Sequence, residues 1–340
     1  MKQIWPWACA VWSGLLLALC YPPFQLGGLS WIALTPLISA IWFAEPWQRR
    51  EHWRPLLLGY VTGAVYFLGC LHWIITVTTA GWIALSLYVA VYPAIWAAFV
   101  GFAATPRQSP FEAKPVWMKS WNNLRVAALA AAAWAGLEWI RGEIFTGFGW
   151  NALGIALHEN VALIQITDIT GVAGLSFLLV MVNMMIVITV KRLKTEIGRH
   201  RLRPHYDFSL TVAIVALVFG YGARQLFEKP APAIPLTVAA VQANVPILVK
   251  RDPEREEAIL DLHKRLTEAA IATRPDLLIW PEAATPRPLF SDQRSWDVVR
   301  SLAESFDGDF LLGTVHFANE GDFNSVVLLS RQAKDARSEE

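Results

Sequence analysis

The order of apolar and polar positions divides the chain near residue 228. Before that point long apolar stretches alternate with short polar ones. A bilayer crossing needs roughly 20 mostly apolar residues. By that measure the pattern predicts seven spans, at 4–20, 26–44, 56–78, 81–104, 124–140, 161–190 and 208–227. The sixth is longer than one crossing and reads as an interfacial loop followed by a helix. The first is short enough to be weighed as a signal peptide, and Leu17-Ala18-Leu19-Cys20 hints at a lipoprotein cleavage box. Leu19 is too bulky for a site that takes small residues, and apolar sequence resumes at Leu26, so we read an uncleaved span.

After residue 228 the texture changes. Lys229-Pro230-Ala231-Pro232-Ala233-Ile234-Pro235 reads as a semi-rigid linker. Residues 236–242 form a β-branched and alanine-rich run suited to a buried strand. Residues 253–273 carry Ala258, Ile259, Leu262 and Leu266 at helical spacing, with Asp252 placed to cap the start. A strand follows at 276–280, and a helix at 291–306 with Trp296, Val299 and Leu302 on its apolar side. Two more strands are expected at 310–315 and 325–329. This β-α-β-α-β-β order predicts an α/β layered domain, its first two strands parallel with a right-handed crossover. The expected organisation is a transmembrane domain over 1–228, a Pro-rich linker over 229–235 and an α/β domain over 236–340.

Composition agrees with a membrane protein carrying a water-exposed part. Of the 340 residues 55% are hydrophobic and 17% charged, and 17 are tryptophan; soluble domains carry about 25% charged residues. Mean hydropathy is +0.38. With 29 basic and 28 acidic residues the net charge is +1, which gives no electrostatic reason to expect nucleic acid as a partner. Cys9, Cys20 and Cys70 lie in apolar stretches without disulfide or metal-ligand spacing. No metal site, phosphate loop or nucleotide signature is evident, and no cofactor is expected.

Basic residues in short loops orient a membrane protein. Lys2, then Arg49, Arg50 and Arg54, then Arg107, Lys114 and Lys119, then Lys191, Arg192, Lys194, Arg199, Arg201 and Arg203 all fall on one side of a seven-span layout. The opposite loops carry only Arg141. The expectation is a cytoplasmic N-terminus, with everything after Phe227 outside the cytoplasm. Trp5, Trp31, Trp53, Trp73 and Trp82 sit near proposed span ends, where amphipathic rings favour the headgroup zone.

In α/β sheets reactive groups collect just beyond the carboxyl ends of strands. Glu282 directly follows the apolar run Leu278-Ile279-Trp280 and is bracketed by Pro281 and Pro286. A partly buried carboxylate held in such a turn has a raised pKa and acts as a general base near neutrality; the alternative is a surface charge at a helix start. Glu138 and Arg141, at i and i+3, share a helical face where they would pair, either as a structural ion pair or as part of a functional site. Asp168 reads as interfacial, and His72 and His158 as satisfied polar groups.

The chain resembles the bacterial apolipoprotein N-acyltransferases, multi-span membrane enzymes with a nitrilase-like (carbon–nitrogen hydrolase) domain. The resemblance rests on Cys20-Tyr21-Pro22-Pro23-Phe24, Leu71-His72-Trp73-Ile74, Glu138-Trp139-Ile140-Arg141-Gly142, Thr146-Gly147-Phe148-Gly149-Trp150-Asn151, Val241-Gln242-Ala243-Asn244-Val245-Pro246, Trp280-Pro281-Glu282-Ala283 and Phe323-Asn324-Ser325-Val326. It implies a two-step acyl transfer. A cysteine thiolate takes an acyl chain from a phospholipid as a thioester, and the α-amino group of a diacylglyceryl-cysteine apolipoprotein then receives it. Glu282 matches the family's general base. The resemblance places Arg141, Phe148, Trp150, Asn151 and Asn244 near lipid or substrate. It further implies a monomer in the bacterial inner membrane with its C-terminal domain on the periplasmic side.

The family's Lys and Cys motifs do not occur in these 340 residues. Lys334 lacks the Lys motif, and the three cysteines belong to the spans. The resemblance therefore leads us to expect an N-terminal portion of a longer enzyme, with an incomplete nitrilase-like domain and no activity by itself. Two other readings stay open: a membrane-tethered nitrilase-family amidase, and a non-catalytic transport or assembly protein.

Overall fold

A computed structural model describes residues 4–44, 53–103, 115–198, 200, 203–228, 233–250, 252–318 and 321–330. Lys2, Arg49, Arg50, Arg107, Lys114, Arg199, Arg201, linker residues 229–232 and Lys334 lie outside these. The chain forms two compact units, Met1–Lys229 and Pro230–Glu340.

The N-terminal unit is helical. It contains α1 (Trp5–Leu19), α2 (Thr35–Phe43), α3 (Arg54–Cys70), α4 (Thr79–Val89), α5 (Val91–Phe102), α6 (Val116–Glu143), α7 (Val161–Ile164), α8 (Thr167–Gly198) and α9 (Tyr206–Phe227). Among the described residues three stretches are long and apolar enough to cross a membrane: Thr79–Phe102, Thr167–Gly198 and Tyr206–Phe227. The other expected spans are helical but shorter, interrupted or less apolar. The second begins as a 3-10 turn, Gly27–Trp31, and becomes α-helical only at Thr35, next to Pro36. This break is stabilised from a distance. Buried Asn183 of α8 accepts from Leu34 N at 2.9 Å and donates to Ser30 O at 2.9 Å and Leu179 O at 2.8 Å. In an apolar surrounding such a break persists only with its backbone groups satisfied. The expected interfacial loop ahead of the sixth span appears as α7, and α8 is bent at Gly171 (φ 62°).

Packing is tight where side chains are small. A Cβ at Gly59 of α3 would lie 2.5 Å from Ala97 Cβ and from Pro93 O of α5. Close backbone approach at small residues is the usual way helices associate in lipid. The core runs from Leu17, Leu37 and Leu58 through Phe67 and Trp96 to Leu153, Leu175 and Met184.

The C-terminal unit contains β1 (Val238–Ala240), α10 (Ile247–Lys250), α11 (Glu256–Ile271), β2 (Leu277–Ile279), α12 (Gln293–Glu304), β3 (Asp309–Ala318) and β4 (Gly321–Leu329). The strands lie in the order β1-β2-β3-β4. β1 and β2 are parallel, as their connection through a helix predicts, and so are β2 and β3; β3 and β4 form an antiparallel hairpin. One face of the sheet, with Val241, Leu278, Trp280, Phe310 and Leu312, shares a core with Leu260 of α11 and Val299 and Leu302 of α12. On the alternate positions Val238, Val326 and Leu328 are exposed. Asp252 caps the 3-10 turn Pro253–Arg255 that precedes α11, accepting from Glu254 N.

Candidate active site and its helical counterpart

The Glu282 turn is built by the strands on either side of it. β2 ends at Ile279, and Trp280 N still donates to Leu311 O at 2.9 Å. The chain then turns through Pro281 and Glu282 and returns to β3, where Ala284 N donates to Gly313 O at 3.0 Å. Gly313 is needed for this approach: a Cβ there would stand 2.7 Å from Glu282 Cα and Pro281 O. Thr285 and Thr314 share a hydroxyl hydrogen bond at 2.9 Å, and Leu289 N donates to Thr314 Oγ1 at 3.0 Å.

The carboxylate itself is oriented from β4. Asn324 Nδ2 donates to Glu282 Oε1 at 2.5 Å, and Lys250 Nζ donates to the Glu282 carbonyl at 3.3 Å. The partial burial expected of Glu282 is not found; the residue is exposed. Trp280, Ala284 and Thr285 are buried in this turn, while Pro281 and Glu282 are exposed and Ala283 half-buried. Asn244 lies beyond the end of β1, exposed and at φ 51°. Asn324 is marked in the sequence only as part of a motif; a strand-borne amide opposite a strand-end carboxylate is the pairing that singles it out.

A separate constellation lies in the N-terminal unit. Three consecutive main-chain carbonyls after α6 are each held by a side chain from a helix or its end. Arg141 Nη2 donates to Trp150 O at 2.9 Å, Tyr66 Oη to Asn151 O at 2.8 Å and Tyr21 Oη to Ala152 O at 3.0 Å. The next two amides are held as well: Leu153 N donates to Glu138 Oε1 and Gly154 N to Ser176 Oγ, at 2.7 and 2.8 Å. Asn151 takes a left-handed φ of 56°, which asparagine tolerates. Phe148 packs against the core, and its N–H donates to Arg141 O at 2.8 Å. Trp150 is exposed and stacks on Trp73 at 5.1 Å.

The expected Glu138–Arg141 pair does not form. Glu138 Oε1 instead accepts from Trp134 Nε1 and Leu153 N, both at 2.7 Å, and Arg141 turns to the Trp150 carbonyl, its guanidinium 5.3 Å from the Phe67 ring centre. Tyr21 and Tyr66 were not singled out from sequence; a buried tyrosine must find a partner for its hydroxyl, but nothing local says which. Asp168 accepts from Tyr221 Oη at 2.6 Å; His72 Nδ1 meets Gly69 O and His158 Nδ1 meets Ile155 O.

Residues 13–185, which contain this whole constellation, match the family model described as the apolipoprotein N-acyltransferase N-terminal domain. The chain belongs to the apolipoprotein N-acyltransferase family. An apolipoprotein N-acyltransferase of Geobacter metallireducens is 33% identical over 339 residues, covering 94% of this chain and 60% of that protein. Proteins of the same name from Caulobacter vibrioides and Rhizobium meliloti are 30% and 28% identical, over 97% and 93% of this chain. The chain thus spans about 60% of the length of these N-acyltransferase relatives.

One group beneath the Glu282 turn responds to pH. His263 of α11 is buried, its Nδ1 donates to Ile259 O at 2.9 Å, and its Nε2 has no hydrogen-bond partner among the described residues. Burial pushes its pKa below the ordinary value, and the charge of Lys250 adds to the effect. The folded state therefore favours neutral His263. Its contribution to stability is complete above the unfolded pKa of about 6.5 and is lost as pH falls below it. The C-terminal unit is expected to melt a few degrees lower at about pH 5 than at about pH 7, and His263→Asn to flatten that dependence. Thermal unfolding at the two pH values checks this; an equal slope in both proteins rules it out.

Proposed function

We propose that this protein acts in phospholipid:apolipoprotein N-acyl transfer, with Glu282 as general base. The observation that carries the reading is the fixed carboxylate. Glu282 stands at a parallel strand end, oriented by Asn324, in a chain of the N-acyltransferase family. A thiolate attacks the ester carbonyl of a phospholipid, forming a thioester and releasing a lysophospholipid. The α-amino group of a diacylglyceryl-cysteine then attacks the thioester, forming an amide and freeing the thiol. Glu282 takes the proton from the thiol and returns it to the departing lysophospholipid oxygen in the first step, then takes one from the amine and returns it to the departing thiolate in the second.

Cys20 and Cys70 are buried within the helical unit, and none of the three cysteines is the nucleophile in this reading. The family resemblance puts the thiol and an oxyanion-stabilising lysine in the part of the relatives that this chain does not span. Three further points belong to the proposal. The seven apolar segments all cross the bacterial inner membrane, the C-terminal unit is a nitrilase-like domain on the periplasmic side, and the protein works as a monomer. The loop at Phe148, Trp150 and Asn151, with Arg141 beneath it, contacts the acyl donor, and Asn244 the substrate. The exposed Trp73–Trp150 stack favours a lipid-facing role.

A complementation experiment tests this. Cells depleted of lipoprotein N-acylation should regain growth, and acylated lipoprotein N-termini, when the complete reading frame is supplied. Failure to rescue, together with release of ammonia from small amides, would replace this reading with the amidase one.

A further inference from the structure

The turn that presents Glu282 contains a residue poorly suited to its backbone. Ala283 sits at φ 44°, a left-handed conformation that a residue with a β-carbon and no polar side chain resists. Such a conformation persists when the structure on both sides holds it in place. On the C-terminal side the hold is the Ala284–Gly313 backbone bond. On the N-terminal side it is Trp280, and Trp280 is anchored by chemistry that the reaction does not use.

The indole is buried, and its Nε1 donates to Thr267 Oγ1 at 2.7 Å. The same hydroxyl donates to His263 O at 2.7 Å, so its single proton and one lone pair are both engaged. The His263 ring leans on the indole with centres 5.0 Å apart, and Phe310 meets it edge-on at 5.3 Å. Thr267 is completely buried. A valine would fill the same volume, and a phenylalanine at 280 would need no acceptor. A buried Trp–Thr pair instead adds a direction: the indole N–H is satisfied in only one orientation.

We propose that Thr267 is a positioning residue for Glu282, fixing the Trp280 indole and through it the Pro281–Ala284 turn that carries the carboxylate. Thr267 touches neither Glu282 nor any reacting atom. The inference rests on the reading of Glu282 as the base, and it separates from that reading in experiment.

The test uses the protein from the complete reading frame, in nanodiscs. Hydrogen exchange is followed at Glu282, Ala283, Ala284 and Thr285, whose neighbours Pro281 and Pro286 have no N–H. Thr267→Val should speed exchange in this segment by about tenfold or more and leave α12 and β3 unchanged; Thr267→Ser should restore the slow rate. Acyl-transfer turnover should fall about tenfold in Thr267→Val with the acceptor KM unchanged. If Thr267→Val does not accumulate, Trp280→Phe, which lacks the N–H, should give the same local loosening. Unchanged exchange at 282–285, or a rise spread evenly over the unit, overturns the proposal. Full turnover in Glu282→Gln would remove the general base and leave the exchange result standing. An inactive Glu282→Gln beside a fully active Thr267→Val would defeat the positioning role alone.

Discussion

If Glu282 is the base in the proposed N-acyl transfer, replacing it by glutamine lowers that activity by about 10²–10⁴-fold while the protein stays folded, because a positioned general base contributes a factor of that size. Glutamine is nearly isosteric with glutamate, and its carbonyl oxygen still accepts the Asn324 hydrogen bond now made to Oε1. Glu282 is exposed, so the change leaves no buried group unpaired. What disappears is the ability to take a proton. Mass spectrometry of a lipoprotein N-terminal peptide reads the result as one missing acyl chain. Asn324→Ala should give a smaller loss, about tenfold, since it frees the carboxylate to swing without removing it. A Glu282→Gln protein that acylates at the full rate would leave the turn as a structural element only.

The second large effect is expected in the helical unit. Arg141→Leu should destabilise it by about 2–4 kcal/mol, because the guanidinium is buried and its loss strips the Trp150 carbonyl of its donor. It also removes the cation from the helical face it shares with Glu138, whose Oε2 is buried and without a hydrogen-bond partner among the described residues. In a unit of this size the melting temperature should fall on the order of 5–10 °C. Arg141→Lys should recover only part of that, since a single ammonium cannot reproduce the planar fork or its packing on Phe67. Thermal unfolding in detergent, with Trp150→Ala as a comparison, is the measurement. Trp150→Ala keeps the carbonyl, so it should leave the melting temperature within about 2 °C of the parent. Equal losses in Arg141→Leu and Trp150→Ala would show that the indole stack, and not the carbonyl bond, holds the loop.

Much of the fold was legible because it follows from local pattern. Every apolar segment is helical in at least part of its length, and the alternation of strand and helix after residue 235 predicts the parallel β1–β2 pair, while the β1-β2-β3-β4 order comes from the structure alone. Continuity of the spans was not legible. The break before Thr35 depends on Asn183, 149 residues away in sequence, and a window scan treats that asparagine as an isolated polar residue.

The site divides in the same way. Glu282 stood out because a carboxylate directly after a buried strand, between two prolines, is unusual within a few residues. Its exposure was missed because it depends on which turn residues face the core, which the one-dimensional pattern does not specify. Glu138 and Arg141 were expected to pair because i and i+3 neighbours meet on a helix. That rule ignores competitors, and here the chain folds its own carbonyl and amide groups back onto both side chains. Thr267 and His263 read as ordinary members of an amphipathic helix; their link to Trp280 exists only once α11 lies across the sheet.

The clamp on residues 150–152 has a consequence for how this loop can diversify. Tyr21, Tyr66 and Arg141 all bind main-chain oxygens, which every amino acid supplies alike. Path and content of the loop are thereby uncoupled: the tyrosines and the arginine dictate where the chain runs, and the outward side chains are left open to exchange. Descendants of this sequence could retune what the loop presents one residue at a time, without rebuilding the framework that displays it.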